Sequence, residues 1–399
     1  MYKIITILII LFIINQLCFG WISAVSFILM LIMMRKYRLG FYDGCIWGIV
    51  TYLIHTLWIV SSVGSRCNAL SAIEMWILLA IWSGLLSGLW WMNYQRYPII
   101  STMTYWYIMT RYSLLIVGLC EGYSLCNPAL CIVDCGWLAP MIWYTHDIGI
   151  WFVCVIVAQY LDQVPKRLVV LGALLGLVLD YGYPYHYPTT NHHFLPLHVP
   201  LPLHTHVDQA GQAVAHTIEK NLQKDREVTC IIFPESTFCW DLNRYHYFIG
   251  QWCTCAGQVP ILICAHLCKG NVSYNACLLL HNNSVRRWYC KQHRMPIIER
   301  NIWVNRWLHN LPSYVETVPY QQGDDIFEIG SCRYQIYICS ELFHDIKPVA
   351  GYPVILVWND TWLNTMLIHR LSLRFIVYFE LKHGVKVFHL ATSGCTNIV

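Results

Sequence analysis

A chain of 399 residues that is 57% hydrophobic and only 12% charged, with a mean hydropathy of +0.45, is too apolar for an ordinary soluble enzyme and belongs with membrane proteins. Its net charge of +4 is modest for the length and is explained by scattered loops, which excludes a nucleic-acid partner. The apolar excess is uneven: residues 4–182 hold long uncharged runs, and 183–399 hold most of the charges and Pro-rich turns.

Seven runs predict membrane spans, at 4–18, 21–34, 41–60, 70–91, 98–120, 147–162 and 167–182, each near the length a bilayer core requires. The first two are short and separated only by Phe19 and Gly20, so they form one hairpin or one long kinked helix. A removable signal peptide is disfavoured, because apolar runs continue without a small-residue cleavage site. Residues 129–145 are apolar but interrupted by Asp134, Gly136 and Pro140, which suits an interfacial or re-entrant segment.

The basic residues give this arrangement a direction. With Lys3 inside, Arg35, Lys36 and Arg38, then Arg96, then Lys166 and Arg167 all fall on the inner side, as short cytoplasmic loops require. The outer loops contain only Arg66. Seven crossings then place residues 183–399 outside the cytoplasm, in a bacterium on the periplasmic face of the inner membrane.

Three domains are expected: a transmembrane domain at 1–182, a linker with a first helix at 183–228, and a soluble core at 229–399. The linker is rich in His and Pro, including His186, His192, His193, His198, His204 and His206. Imidazoles at this density can bind metal, but they lack regular ligand spacing. An extended solvated segment is the reading adopted, with no metal and no cofactor. Of the nineteen cysteines, eleven lie beyond residue 182, and in an oxidising compartment some of these can pair.

In the soluble half, strands are predicted at 228–233, 259–266, 276–280, 334–339, 354–358 and 385–390, several apolar enough to be buried on both faces. Helices are predicted at 206–223 and 361–383. The fold class is therefore a multi-pass α-helical membrane domain followed by an α/β sandwich with helices covering its sheets. Glu235, Lys291 and Cys339 stand out, each in a strand-like context. A base, a cation and a thiol are the parts of covalent acyl transfer. Cys339 precedes Ser340, Glu341, Leu342 and Phe343, a predicted turn into a short helix whose N-terminus favours a thiolate. Taken singly, Cys339 would fill a core, Glu235 would cap a helix and Lys291 would be a solvated turn cation; their ordered contexts argue otherwise.

These residues resemble the carbon-nitrogen hydrolase (nitrilase) superfamily, whose triad is Glu, Lys and Cys in that chain order. The membrane half narrows the resemblance to the apolipoprotein N-acyltransferase branch and to conjugal transfer proteins of the TraB type. Segment 291–299, from Lys291 through His293 and Pro296 to Glu299, is similar to the family's Lys-to-second-Glu stretch. Trp358, Asn359, Asp360 and Trp362 are similar to its Asn-Asp-x-Trp segment, and Tyr274, Asn275 and Ala276 to its Tyr-Asn-small start of a central strand. The implied fold is an αββα sandwich. The implied catalytic roles are Glu235 as base, Lys291 at the oxyanion and Cys339 as nucleophile, with Glu299, Ser340, Glu341, Asn359 and Trp362 supporting or lining the pocket.

The implied activity is formation of a Cys thioester from a phospholipid acyl donor, then transfer to an amine acceptor such as a lipoprotein, among membrane lipids. Four features depart from the acyltransferase pattern. Ser340 replaces an aromatic residue, Ile297 and Ile298 replace Gly, the usual Arg near the end is missing around Phe379 to Lys382, and no further apolar span follows up to Val399. They turn the resemblance toward the conjugal-transfer relatives. There the same fold serves as an envelope component with an assembly role or a divergent amidase role, and the conjugation machinery is its partner.

Overall fold

The computed structural model describes residues 2–17, 20–55, 57, 60, 69–108, 139–161, 193–199, 205–225, 227–269, 272–293, 325–343, 346–359, 366–392 and 394–396. In chain order these form α1 (Tyr2–Leu17), α2 (Gly20–Lys36), α3 (Phe41–His55), α4 (Ala69–Tyr94), α5 (Pro98–Tyr107), α6 (Ala139–Tyr160), β1 (Phe194–Pro196), α7 (Val207–Leu222), β2 (Cys230–Ile232), β3 (Phe238–Asp241), α8 (Tyr247–Ala256), β4 (Ile261–Lys269), β5 (Val272–His281), β6 (Ser284–Cys290), β7 (Ile326–Ile329), β8 (Cys332–Ile338), a 3-10 turn (Cys339–Phe343), β9 (Val354–Trp358), α9 (Met366–His383), β10 (Val387–Ala391) and β11 (Gly394–Thr396). Contacts divide them into a helical unit, α1–α6 with α9, and an α/β unit containing every strand.

In the helical unit, α3 and α4 pack closely because glycine lines their crossing. A Cβ added at Gly44 would lie 2.6 Å from the Ser87 carbonyl oxygen, and one at Gly88 2.5 Å from Cys45 Sγ. Gly44 and Gly48 on one helix, and Gly84 and Gly88 on the other, have the four-residue spacing that lets backbones meet in apolar surroundings. Behind them Trp90 stacks on Tyr105 with ring centroids 4.3 Å apart and donates from Nε1 to Thr102 Oγ1 at 3.0 Å. Ile73, Ile77, Ile81, Leu85 and Leu89 on α4 remain between 38% and 48% exposed.

Three helices end together. Arg35 at the end of α2 donates from Nη1 to the Gln159 carbonyl of α6 at 2.7 Å, and Gln95, just past α4, donates to the Met34 carbonyl at 2.6 Å. Arg35, Lys36, Arg38 and Arg96 therefore share one end of the unit.

Among the described residues one helix, over Ala72–Tyr94 with mean hydropathy 1.7, is long and apolar enough to cross a membrane. Lys3–Ile14, Phe41–Ile54 and Ile148–Tyr160 are apolar helical stretches of shorter length. Of the span expected at 98–120, only α5 is described, and the one expected at 167–182 lies outside the described residues. The interfacial segment expected at 129–145 is helical from Ala139. Pro140 occupies the first turn, where its missing N–H costs nothing.

The α/β unit contains two sheets. The first has the order β1-β2-β4-β5-β6, with β3 also pairing β4; the second has the order β11-β10-β9-β8-β7. Parallel strands occupy the middle of the second sheet, β8-β9-β10, and antiparallel hairpins close its edges. The β5–β6 hairpin turns on Asn282 and Asn283, at φ 50° and 57°, values Asn tolerates and a two-residue hairpin of this hand requires. Phe194 of β1 meets Tyr334 of β8 and Phe388 of β10 at 5.4 Å and 5.1 Å, so the sheets face each other.

On its other face the first sheet is covered by α7 and α8. Val207, Ala210, Gly211, Val214, Ala215 and Ile218 form the buried stripe of α7, recurring at three and four as a helix against a core requires. Trp252 of α8 donates from Nε1 to the Gly211 carbonyl at 2.9 Å, and Phe248 lies where a Cβ on Gly211 would go.

Two expectations change. The helix predicted at 361–383, assigned to the soluble core at 229–399, groups as α9 with the helical unit and packs on α6. The His- and Pro-rich linker ahead of the first helix, expected to be extended and solvated, contributes the edge strand β1 in parallel register with β2, while the expected helix follows, capped by His206, which accepts from the Asp208 N–H.

Candidate active site

The loops that follow β2, β6, β8 and β9 carry the polar residues that converge in the α/β unit. Just past β2, Pro234 leads to Glu235, and the chain turns there: Thr237 Oγ1 donates back to the Pro234 carbonyl at 2.8 Å, and Ser236 adopts φ 64°. Lys291 directly follows β6, held to β5 by its N–H donating to the Asn275 carbonyl at 2.9 Å. Their side chains meet, with Lys291 Nζ 3.0 Å from Glu235 Oε1, only 1% and 5% exposed. Asn275 Nδ2 donates to the same oxygen at 2.8 Å, and the Asn359 N–H donates to Glu235 Oε2 at 3.3 Å. A buried carboxylate with three donors is fixed in direction and compensated in charge.

Cys339 stands at the end of β8, 7% exposed, with φ 50°. A non-glycine residue in this region is strained and is held there by its surroundings. The holding residue is Glu341, fully buried. Its Oε1 accepts from the Tyr289 hydroxyl at 2.8 Å, the Gln292 N–H at 2.6 Å and the His293 N–H at 3.3 Å, while Oε2 accepts from the Ile338 N–H at 2.8 Å. Ser340 Oγ adds a bond to the His293 carbonyl at 2.9 Å. The turn bearing the thiol is thus fastened to the two residues after Lys291. Burial pushes the Glu341 carboxyl up to about 7, against the lowering pull of its donors and of Lys291.

The sequence-predicted set therefore divides. Glu235 and Lys291 form an ion pair, Cys339, Ser340 and Glu341 lie on one turn, and Asn359 contributes its backbone to Glu235. Glu299 and Trp362 lie outside the described residues. The short helix expected after Cys339 is a five-residue 3-10 turn. Sequence reasoning missed the Asn275 side chain as a Glu235 partner, although Tyr274, Asn275 and Ala276 were singled out, and it missed Tyr289 as a partner of Glu341. The Cys339 turn is tied to the segment that follows the buried Glu235–Lys291 pair, and a thiol, a carboxylate and an ammonium are the groups from which acyl transfer is built.

No protein-family model and no curated protein sequence matches the chain. Solved structures with detectable likeness include nitrilase-superfamily proteins. An amidase of that superfamily from Nesterenkonia AN1 is 12% identical with a TM-score of 0.36, over 51% of this chain and 78% of its own. A CN-hydrolase superfamily protein from Xanthomonas campestris gives 12%, 0.36, 51% and 78%, and Nit3 from Saccharomyces cerevisiae, a member of branch 10 of the superfamily, gives 10%, 0.30, 46% and 69%.

Proposed function

We propose that the chain is a membrane-bound acyltransferase of the carbon-nitrogen hydrolase type, working through a thioester on Cys339. The observation that carries this reading is the buried Glu235–Lys291 pair, beside which Glu341 and Ser340 fasten the Cys339 turn. Glu235 takes the thiol proton as the sulfur attacks an acyl carbonyl, and Lys291 steadies the oxyanion. Collapse expels the alcohol of the donor, which recovers the proton from Glu235 and leaves the acyl group on sulfur. An amine acceptor then attacks, with Glu235 as base, and the thiol is regenerated. Glu299 and Trp362 would line the pocket mouth.

A phospholipid ester as donor, and the N-terminal amine of a lipoprotein as acceptor, fit a catalytic unit attached to apolar helices. Multi-pass insertion in a bacterial inner membrane is supported by the exposed aliphatic row of α4 and the glycine-lined α3–α4 crossing. It is supported also by Tyr37, Tyr42, Tyr97 and Tyr160, 44%, 81%, 46% and 59% exposed, at helix ends where interfacial tyrosines gather. The α/β unit would then face the periplasm. Intact-protein mass spectrometry after incubation with phospholipid tests the chemistry. A hydroxylamine-labile acyl adduct is expected on wild type and not on Cys339→Ala. Its absence across several lipid classes, with folded protein, would move the reading to another acyl donor or to the assembly role.

A further inference from the structure

Two cysteines of the first sheet face each other beneath the Glu235–Lys291 pair. Strand alternation fixes their face: Ile261, Ile263 and Ala265 of β4, with Ala276 and Leu278 of β5, enter the core under α7 and α8. Cys264 and Cys277 therefore point to the opposite side. Asn275, two positions before Cys277, shares that side and reaches Glu235. Cys264 and Cys277 are direct partners in an unbroken antiparallel register of nine pairs, from Ile261 opposite Leu280 to Lys269 opposite Val272. Both are fully buried free thiols. Opposed residues of antiparallel strands have Cα atoms roughly 4.5–5.5 Å apart, inside the roughly 4.4–6.8 Å that a disulfide spans.

We propose that Cys264 and Cys277 are a disulfide site, closed as a cross-strand bond while the α/β unit folds on the oxidising side of the membrane. The reaction is thiol–disulfide exchange with a disulfide oxidant. Each cysteine gives up one proton and one electron, the S–S bond forms, and the oxidant leaves as two thiols. Closure must precede burial of the pair, so it belongs to folding rather than to the catalytic cycle. The bond clamps β4 to β5 on the face that carries Asn275, and so helps hold that amide against Glu235.

The inference rests on the periplasmic placement proposed above, and one experiment separates the two. Cells are lysed into denaturant with N-ethylmaleimide, and the chain is digested with trypsin without reduction; Lys269 lies between the two cysteines, so cleavage there leaves two peptides joined only by the bond. The expected result is the linked pair, free of maleimide at both positions and resolving into two peptides on reduction. Maleimide on both Cys264 and Cys277 before reduction overturns the proposal. Placement is read independently, by labelling a Lys224→Cys variant in intact cells with a membrane-impermeant maleimide. A labelled variant with an unlinked pair sinks the disulfide alone; an unlabelled variant with an unlinked pair sinks both readings. A linked pair sustains the disulfide whatever the label shows.

Discussion

Glu235 and Lys291 hold each other in a place from which water is excluded, so neither charge tolerates the loss of the other. Lys291→Met leaves a carboxylate facing Asn275 and the Asn359 N–H with no cation, and the expected cost is about 3–5 kcal/mol, read as a fall in the denaturant midpoint in detergent. Glu235→Gln with Lys291→Met should recover much of that stability and none of the acyl adduct, which separates the structural role of the pair from its chemical one. Glu341 gives a prediction in pH. Its carboxyl lies near 7 in the folded chain against 4.5 for the free group, so the native state binds its proton more tightly. The contribution is fully present below 4.5 and is lost as pH rises through about 7, roughly 3 kcal/mol in all by linkage. Glu341→Gln can still offer a carbonyl to Tyr289, Gln292 and His293, but its NH2 group would face the Ile338 N–H. The variant should be weaker at acid pH and show a flat stability profile between pH 5 and 8 where wild type declines; a matching decline in the variant would remove Glu341 as the source.

At the scale of elements, close backbone approach makes α3 and α4 intolerant of bulk. Gly84→Val puts two methyl groups where Ile49 and the Cys45 carbonyl already sit, and overpacking of this kind costs roughly 1–3 kcal/mol. Earlier proteolysis between 41 and 94 should follow, whereas Gly40→Ala, with nothing within 4 Å of its Cβ, should not change the digestion. The buried strands were the most legible part of the chain. β2, β4, β5, β8, β9 and β10 all fall on predicted runs, because strands covered on both faces are almost wholly apolar. The edges β1, β3, β6, β7 and β11 escaped prediction for the converse reason: β6 presents Arg286 and Arg287 to solvent, and β1 and β11 are three residues long. In the site, Glu235 and Cys339 follow predicted strands, whereas Lys291 follows β6, a strand that no apolar run announced. The service of Asn275 to Glu235, and of Glu341 to the Cys339 turn, depends on which loops the two sheets bring together, and no local pattern encodes that.

For the molecule as a whole, the proposed membrane insertion takes its direction from charge. Arg35, Lys36, Arg38 and Arg96 are gathered at one end of the helical unit by the Arg35–Gln159 and Gln95–Met34 bonds. Their convergence is what alternating crossings with basic inner loops require, since α2, α4 and α6 would all return to the same side. Tyr37 and Tyr97 lie beside Lys36 and Arg96, with cation-to-ring distances of 5.8 Å and 5.2 Å, so the cations are held at the level where headgroups would meet them. A reporter fluorescent only in the cytoplasm, fused after residue 38 or 96, should therefore shine, and one active only in the periplasm, fused after 199, should work. Reversing the signs at Arg35, Lys36, Arg38 and Arg96 together removes the main inner determinants, and the expected result is a mixed population in which both reporters give partial signal. A periplasmic signal after 38 in the unaltered chain would invert the orientation, carry the α/β unit to the reducing side, and withdraw both the phospholipid acyl donor of the outer leaflet and the oxidant that closes Cys264 on Cys277.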